Sequence, residues 1–322
     1  MEASRVADDL PSAFRGTSFQ RIFQKVGEPV GGGWQWADVP RAAQTHARDL
    51  PRSMSVSGEP DRVDALLEEA ERQPFVGWDF SWLRGRLDSQ PLPWDYTASV
   101  VEHARSSPDL LDLGTGGGEW LAGLSYRPPR TVATEAWGPN VAIASARLRP
   151  LGVDVVQVAP ARDNSGKPLE GIASPLPFPD GAYHLVVDRH ESFDVDEVAR
   201  ILVPGGWFIT QQVDAGNDRE YRALFGIESP EPDPKTRWAS WLPAQLERVG
   251  LRVVEHASAP LVQVVRDVGA LAWGLKAIPW MVPGFSIDKH RARLREIQAQ
   301  IDRAGPITVR QRRFWVRAQK RS

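Results

Sequence analysis

Leu110-Leu111-Asp112-Leu113-Gly114-Thr115-Gly116-Gly117-Gly118-Glu119-Trp120-Leu121 reads as a buried apolar strand running directly into a glycine-dense turn and then a helix. A turn of this kind holds a ligand close. Glycines permit positive φ and leave no Cβ between the backbone and an approaching molecule, and the following helix start offers unpaired N–H groups. The dinucleotide fingerprint G-x-G-x-x-G would need glycine at 119, where the chain has Glu119; its glycines stand at 114, 116 and 118. Asp112 lies two residues before the first glycine, and a carboxylate there suits an ammonium group and repels a pyrophosphate. Glu135 ends the next apolar run, Thr131 to Thr134, about 20 residues after the turn, where a carboxylate accepts hydrogen bonds from both hydroxyls of a ribose. A tight connection without a ligand, or a merely solvated Glu135, explains either feature alone but not the combination.

Outward from that stretch, short apolar runs alternate with helical patterns. Strands are expected at Asp109 to Leu113, Thr131 to Thr134, Val153 to Val158, His184 to Val187 and Trp207 to Val213. Helices are expected near Glu119 to Leu124, Val141 to Leu151 and Asp196 to Leu202, with one before the first strand from Tyr96 to Arg105, stopped ahead of Pro108. The alternation implies βαβ crossovers and a parallel sheet covered on both faces. Two further strands are read at Leu251 to Ala257 and Arg313 to Ala318. No repeat of solenoid length is visible.

With Pro175-Leu176-Pro177-Phe178-Pro179-Asp180-Gly181, His184-Leu185-Val186-Val187 and Ile201-Leu202-Val203-Pro204-Gly205-Gly206-Trp207-Phe208-Ile209 added, the chain resembles the class I S-adenosylmethionine-dependent methyltransferases, in their type 11-like form, from about Tyr96 to Val213. The resemblance implies an α/β, Rossmann-like class I methyltransferase fold: a mostly parallel seven-stranded sheet with helices on both faces and an antiparallel last strand. It implies S-adenosyl-L-methionine as cofactor. Asp112, Gly114, Gly116 and Gly118 would hold the methionine end, Glu135 the ribose, and Ala136 one adenine face, with Thr115 and Asp188 as further cofactor contacts. The family's usual acidic residue on the third strand falls on Ile172, so the adenine amino contact is expected from backbone near Ala173 or from Asp163.

The same pattern sets the organisation: a weakly ordered extension over 1–58, a helical and aromatic lid region over 59–108, the cofactor-binding core over 109–261, a helical substrate-region insertion over 262–305, and a final strand with a basic tail over 306–322. Composition narrows the chemistry. With 39 basic and 41 acidic residues the net charge is -2, so no global positive field draws in a polyanion. The absence of cysteine excludes disulfides, thiolate nucleophiles and thiolate zinc sites, and no metal site is expected. No signal peptide or membrane span is legible, because Lys276 and two prolines interrupt the apolar tract from Gly269 to Phe285; a cytoplasmic protein, monomer or homodimer, is expected.

Methyl transfer from a sulfonium needs alignment and desolvation, plus a base where the nucleophile carries a proton. The fourth strand ends in Asp188-Arg189-His190-Glu191, at the ligand crevice by the strand-end rule, which makes His190 the leading candidate base and Glu191 a residue that orients or replaces it. Trp94, Tyr96 and Gln211 are candidate substrate contacts, with one of Gln211 and Gln212 facing the crevice. Trp78, Trp82, Trp273 and Trp280 are expected to roof an apolar pocket, with core packing as the alternative. The expected function is methyl transfer to oxygen or nitrogen of a small molecule. Alternatives are RNA-base methylation through the basic tail from Arg310 to Arg321, and a cofactor-binding module without turnover.

Overall fold

The computed structural model describes residues 61–162 and 175–322. The expected extension over 1–58 and the adenine candidates Asp163 and Ala173 lie outside these residues. In chain order the elements are α1 (Arg62–Arg72), β1 (Leu87–Ser89), α2 (Tyr96–Arg105), β2 (Asp109–Leu113), α3 (Glu119–Ala122), β3 (Arg130–Glu135), α4 (Gly138–Leu148) and β4 (Asp154–Gln157). There follow β5 (Tyr183–Arg189), α5 (Val195–Ile201), β6 (Leu202–Val213), α6 (Arg219–Leu224), α7 (Trp238–Arg248), β7 (Leu251–Val265), α8 (Val268–Ala277), α9 (Ile287–Ala304) and β8 (Ile307–Lys320).

All eight strands form one sheet in the order β1-β7-β8-β6-β5-β2-β3-β4. β2 is buried along its whole length, as its unbroken apolar run requires, and pairs in parallel with both β3 and β5. β4 and β6 extend the parallel part on either side, while β8 lies antiparallel between β6 and β7. The expected mostly parallel sheet with an antiparallel last strand is present, with an eighth strand added. That strand is β1, three residues antiparallel to the far end of β7. Strand order reverses between β2 and β5, so the ends of these two strands bound the crevice where open α/β sheets bind ligands.

Two apolar clusters flank the sheet. One gathers Val186, Phe208, Leu242 and Phe314; the other gathers Val100, Leu110, Leu148 and Ile209. A third unites α1, α8 and α9 with the aromatic segment around Phe75 and Phe80. Asp61 and Asp95 begin α1 and α2 as N-caps, accepting from Val63 and Ala98 N–H groups at 3.2 and 2.8 Å. Among the described residues no helix is long and apolar enough to cross a membrane. The apolar tract containing Lys276 forms α8, and the lysine donates to the carbonyls of Ala70 and Glu71 at the end of α1.

Candidate functional site

The glycine turn follows β2 and rests on the end of β3. Thr115 N–H donates to Thr134 O at 2.8 Å, Gly114 N–H to Thr134 Oγ1 at 3.3 Å, and Gly116 N–H to Glu135 Oε2 at 2.7 Å. The other Glu135 oxygen accepts from Trp137 N–H at 2.8 Å. Glu135 thus ties the turn to the start of α4, Oε2 holding Gly116 and Oε1 holding Trp137. Burial raises its pKa, and these backbone donors oppose the rise. Gly114 adopts φ +66°, and a Cβ there would lie 2.5 Å from Glu191 Cγ; at Gly118, φ +78°, a Cβ would lie 2.9 Å from Leu148 Cγ. Side chains of β5's end and of α4 therefore require these two glycines, in addition to any ligand.

Beneath the turn Asp112 is 2% exposed, and its Oδ2 has no hydrogen-bond partner among the described residues; the same holds for Thr115 Oγ1. Burial pushes the Asp112 carboxyl up to about 7, opposed by the nearby Thr115 hydroxyl and the Arg189 guanidinium. The Thr115 hydroxyl is the nearest donor to this carboxylate, and the pair has no other side-chain donor, so a donor from outside would add to its satisfaction. Asp188 at the end of β5 is fully buried. Its Oδ1 accepts from Thr210 Oγ1 at 3.4 Å and from Gln212 Nε2, while its Oδ2 has no partner. Burial, then Glu191 and Asp112, raises its pKa well above the carboxylate range. Ala136 lies with Leu113, Val158, Leu176 and Phe193 around a narrow apolar slot that Glu191 also lines.

Trp94, Tyr96, Arg189 and Gln211 line a separate, wider cavity of ≈ 550 Å³ at the same end of the sheet. Tyr96 donates its hydroxyl to Asp188 O at 3.0 Å, and the Trp94 Nε1–H group donates to Gln211 Oε1 at 2.8 Å. The Gln211 amide oxygen so engaged turns its NH₂ toward His190 Nε2, 3.3 Å away, which assigns the imidazole proton to Nδ1. His190 has φ +70°, the single non-glycine residue with positive φ among those described, and its N–H donates to Gln211 O at 2.9 Å. Burial, then Arg313 and Arg189, holds its pKa well below the usual imidazole value, so the ring is neutral at pH 7. Glu191 does not contact His190 through a hydrogen bond; its Oε1 accepts from Ser192 N–H at 3.0 Å, and burial followed by Glu135 pushes its pKa up to about 7.

The expected residues therefore divide. Asp112, Thr115, the glycines, Glu135, Ala136 and Glu191 gather at the turn and slot, while Trp94, Tyr96 and Gln211 line the wider cavity and His190 reaches it only through Gln211. Gln211 faces that cavity, and Gln212 points the other way onto Asp188 and the Glu191 carbonyl. The four tryptophans pack in two pairs: Trp78 stacks near Trp280 at 6.5 Å, and Trp82 meets Trp273 at 5.3 Å. Trp78 also reaches the turn, its N–H donating to Glu119 Oε1 at 3.4 Å. Arg189 was not singled out from sequence, because a lone arginine at a strand end carries no local signal.

A parallel sheet that reverses between β2 and β5, with antiparallel β8 inserted before β7, decides the architecture. This is a Rossmann-like fold of the class I methyltransferase form. No protein-family model and no curated protein matches the chain. Among solved structures, a candidate methyltransferase from Bacillus halodurans C-125 is 18% identical over 70% of this chain and 99% of its own, with a TM-score of 0.45. The [4+2]-cyclase SpnF is 17% identical over 80% and 92%, with a TM-score of 0.42. A SAM-dependent methyltransferase from Aquifex aeolicus is 15% identical over 81% and 99%, with a TM-score of 0.37. The fold assignment rests on the strand order of this chain itself.

Proposed function

We propose that this chain is an S-adenosylmethionine-dependent methyltransferase that acts on oxygen or nitrogen of a small-molecule acceptor. The observation that carries the reading is Asp112: a buried carboxyl with the Thr115 hydroxyl as its nearest side-chain donor, under a glycine turn where a carboxylate suits an ammonium better than a pyrophosphate. An ammonium group of the methionine end would satisfy both oxygens. The Glu135 carboxylate at the end of β3 would take the ribose hydroxyls, and the slot beside Ala136 would take the adenine. Bound there, the cofactor supplies an electrophilic methyl group on a sulfonium, which departs as a neutral thioether.

What the chain's own residues contribute is alignment and exclusion of water, with a limited capacity to accept a proton. Glu191 has the better matched pKa, but it faces the slot and Gly114 instead of the cavity beside Trp94. His190 adjoins the cavity through Gln211, yet its ring is a weak base whose Nε2 lone pair already accepts from the Gln211 amide. Either residue could accept a proton only by giving up that arrangement.

The RNA reading draws less support from the basic tail than the sequence suggests. Arg310, Arg312, Arg317 and Arg321 each pair with a glutamate, and Lys320 donates to the carbonyls of Ala199 and Leu202. The test is calorimetric titration with S-adenosylmethionine, S-adenosylhomocysteine and NADH. Micromolar binding of the two sulfur ligands alone, about -8 kcal/mol, is the expected result. Binding of NADH alone returns the turn to a dinucleotide enzyme, and cofactor binding without turnover of any acceptor favours a non-catalytic module.

A further inference from the structure

The wider cavity is lined by a cation that methyl transfer itself does not use. Pro91, Leu92, Pro93, Trp94 and Leu261 supply its apolar lining, Arg189 its cation, and Asp95 its carboxylate, which caps α2 by accepting from Ala98 N–H. Sheet register sets this arrangement. Arg189 pairs with Gln211, and Gln211 with Trp315, so the three share one face, and Trp94 closes it by stacking on Trp315 at 6.0 Å and 3°.

Arg189 is half-buried, and among the described residues it has no carboxylate within salt-bridge distance; its guanidinium carbon lies 5.2 Å from the Trp120 ring. Arg313, on the same face and 9% exposed, is held by neutral acceptors only: Asn217 Oδ1, Gln311 Oε1 and its neighbour's carbonyl. The surrounding arginines of β8 are paired with glutamates, so these two cations stand out. Burial first, and the Arg189 charge with it, lowers the pKa of Arg313. The acidic groups that act on Arg189 are Asp112, Glu119 and the Tyr96 hydroxyl, and burial outweighs them. Glu119 is bonded to Arg147, and Asp112 lies beneath the turn. Asp95, the carboxylate of the cavity lining, is not within salt-bridge distance of Arg189, so a half-buried guanidinium faces the cavity without an ion pair, an arrangement that suits an anionic ligand.

We propose that the methyl acceptor is a small amphiphilic anion, its apolar body against Trp94, Tyr96 and Leu261 and its carboxylate or phosphate on the Arg189 guanidinium. The use made of this ligand rests on the methyl-transfer reading, whereas its binding does not. The planar fork of arginine takes either group with two hydrogen bonds, so carboxylate and phosphate are separated by experiment.

The experiment titrates benzoate, phenyl phosphate and neutral benzamide into the wild type, Arg189→Met and Arg189→Lys, each with and without saturating S-adenosylhomocysteine. At least one anion should bind about tenfold or more tightly than benzamide, and lose about tenfold or more in Arg189→Met with partial recovery in Arg189→Lys. That preference should persist with S-adenosylhomocysteine bound, and the preferred anion names the group. Thermal unfolding reads the fold separately: Arg189→Met should melt no lower than the wild type, since it removes a half-buried charge that has no ion pair, and the anions should raise the wild-type melting temperature alone. Equal binding of all three probes overturns the proposal. So does anion binding that S-adenosylhomocysteine competes away while Arg189→Met weakens S-adenosylhomocysteine itself, because Arg189 would then serve the cofactor's carboxylate. Arg189-dependent anion binding in a protein that binds no S-adenosylhomocysteine upholds the anion site and removes the methyl-transfer reading instead.

Discussion

Asp112 couples ligand binding to pH, and the sign follows from its environment. Its folded pKa of about 7 lies above the ordinary aspartate value, so the folded state holds a proton that the unfolded state releases earlier. Its cost to stability is absent below about pH 4, grows as pH rises toward 7 and is constant beyond. Asp112→Asn should therefore raise the melting temperature at pH 8 and leave it nearly unchanged at pH 4. A ligand ammonium prefers the carboxylate, so wild-type affinity for S-adenosylmethionine should rise from pH 6 to 8 with release of a proton. Calorimetry in buffers of different ionisation enthalpy measures that release, and Asp112→Asn should bind weakly with none. The other residue-scale prediction separates the two candidate proton acceptors. His190→Ala should lower kcat by about tenfold, well short of the loss of a fully effective base, since its ring is neutral and engaged. Glu191→Gln should act on cofactor affinity more than on kcat; a kcat loss of about a thousandfold in either variant assigns that residue the proton transfer. Asp112, Gly114 and Glu135 are legible in the sequence because the turn is contiguous and its partner follows on the next strand. Arg189 and the division of His190 from Glu191 depend on the register of β5, β6 and β8, which no local pattern encodes.

At the scale of elements, the turn is held from below as well as above. Gly118 sits at φ +78° directly before α3, and the space its missing Cβ leaves is filled by Leu148 at the end of α4. Gly118→Ala adds backbone strain and an overpacked contact together, and should destabilise the fold by about 2–4 kcal/mol in chemical denaturation. Gly205→Ala is the control: its φ is +77°, but nothing lies within 4 Å of the added Cβ, so it should cost only about 1–2 kcal/mol. Equal losses would mean that Leu148 yields and the packing is soft. Elements with strong local signals were legible nearly to the residue, as in α2 and β2. β7 runs on from the expected Ala257 to Val265, through Pro260, because β1 pairs only with residues 263–265 and leaves the strand without a second partner at the proline. α7 gave no signal because Pro243 lies inside it, and β1 is too short to show alternation.

The whole molecule argues about partners through the fate of its charges. Read as sequence, the segment from Arg310 to Arg321 is a basic tail able to grip phosphates; folded, it is β8, inserted between two strands with its cations committed. Arg312 lies 2.5 Å from Glu231, Arg317 2.6 Å from Glu255, and Arg321 2.5 Å from Glu247, while Arg313 points into the protein. Each exposed pair contributes little to stability, but it cancels the local field that a polyanion would follow. Binding of a single-stranded RNA oligonucleotide should therefore be weak and shallow in salt: a plot of log K against log salt should have a slope no steeper than about -1, the release from one or two phosphates. A slope of about -3 or steeper would show that RNA displaces the glutamates and recruits several of these arginines at once. Charge reversal at Glu231 and Glu247 tests the same point from the other side, since Glu231→Lys with Glu247→Lys frees the arginines and should steepen the slope without touching the glycine turn. A binding surface created by that double change, and absent from the wild type, would show that the strand's neutral pairing, rather than a shortage of basic residues, keeps nucleic acid away.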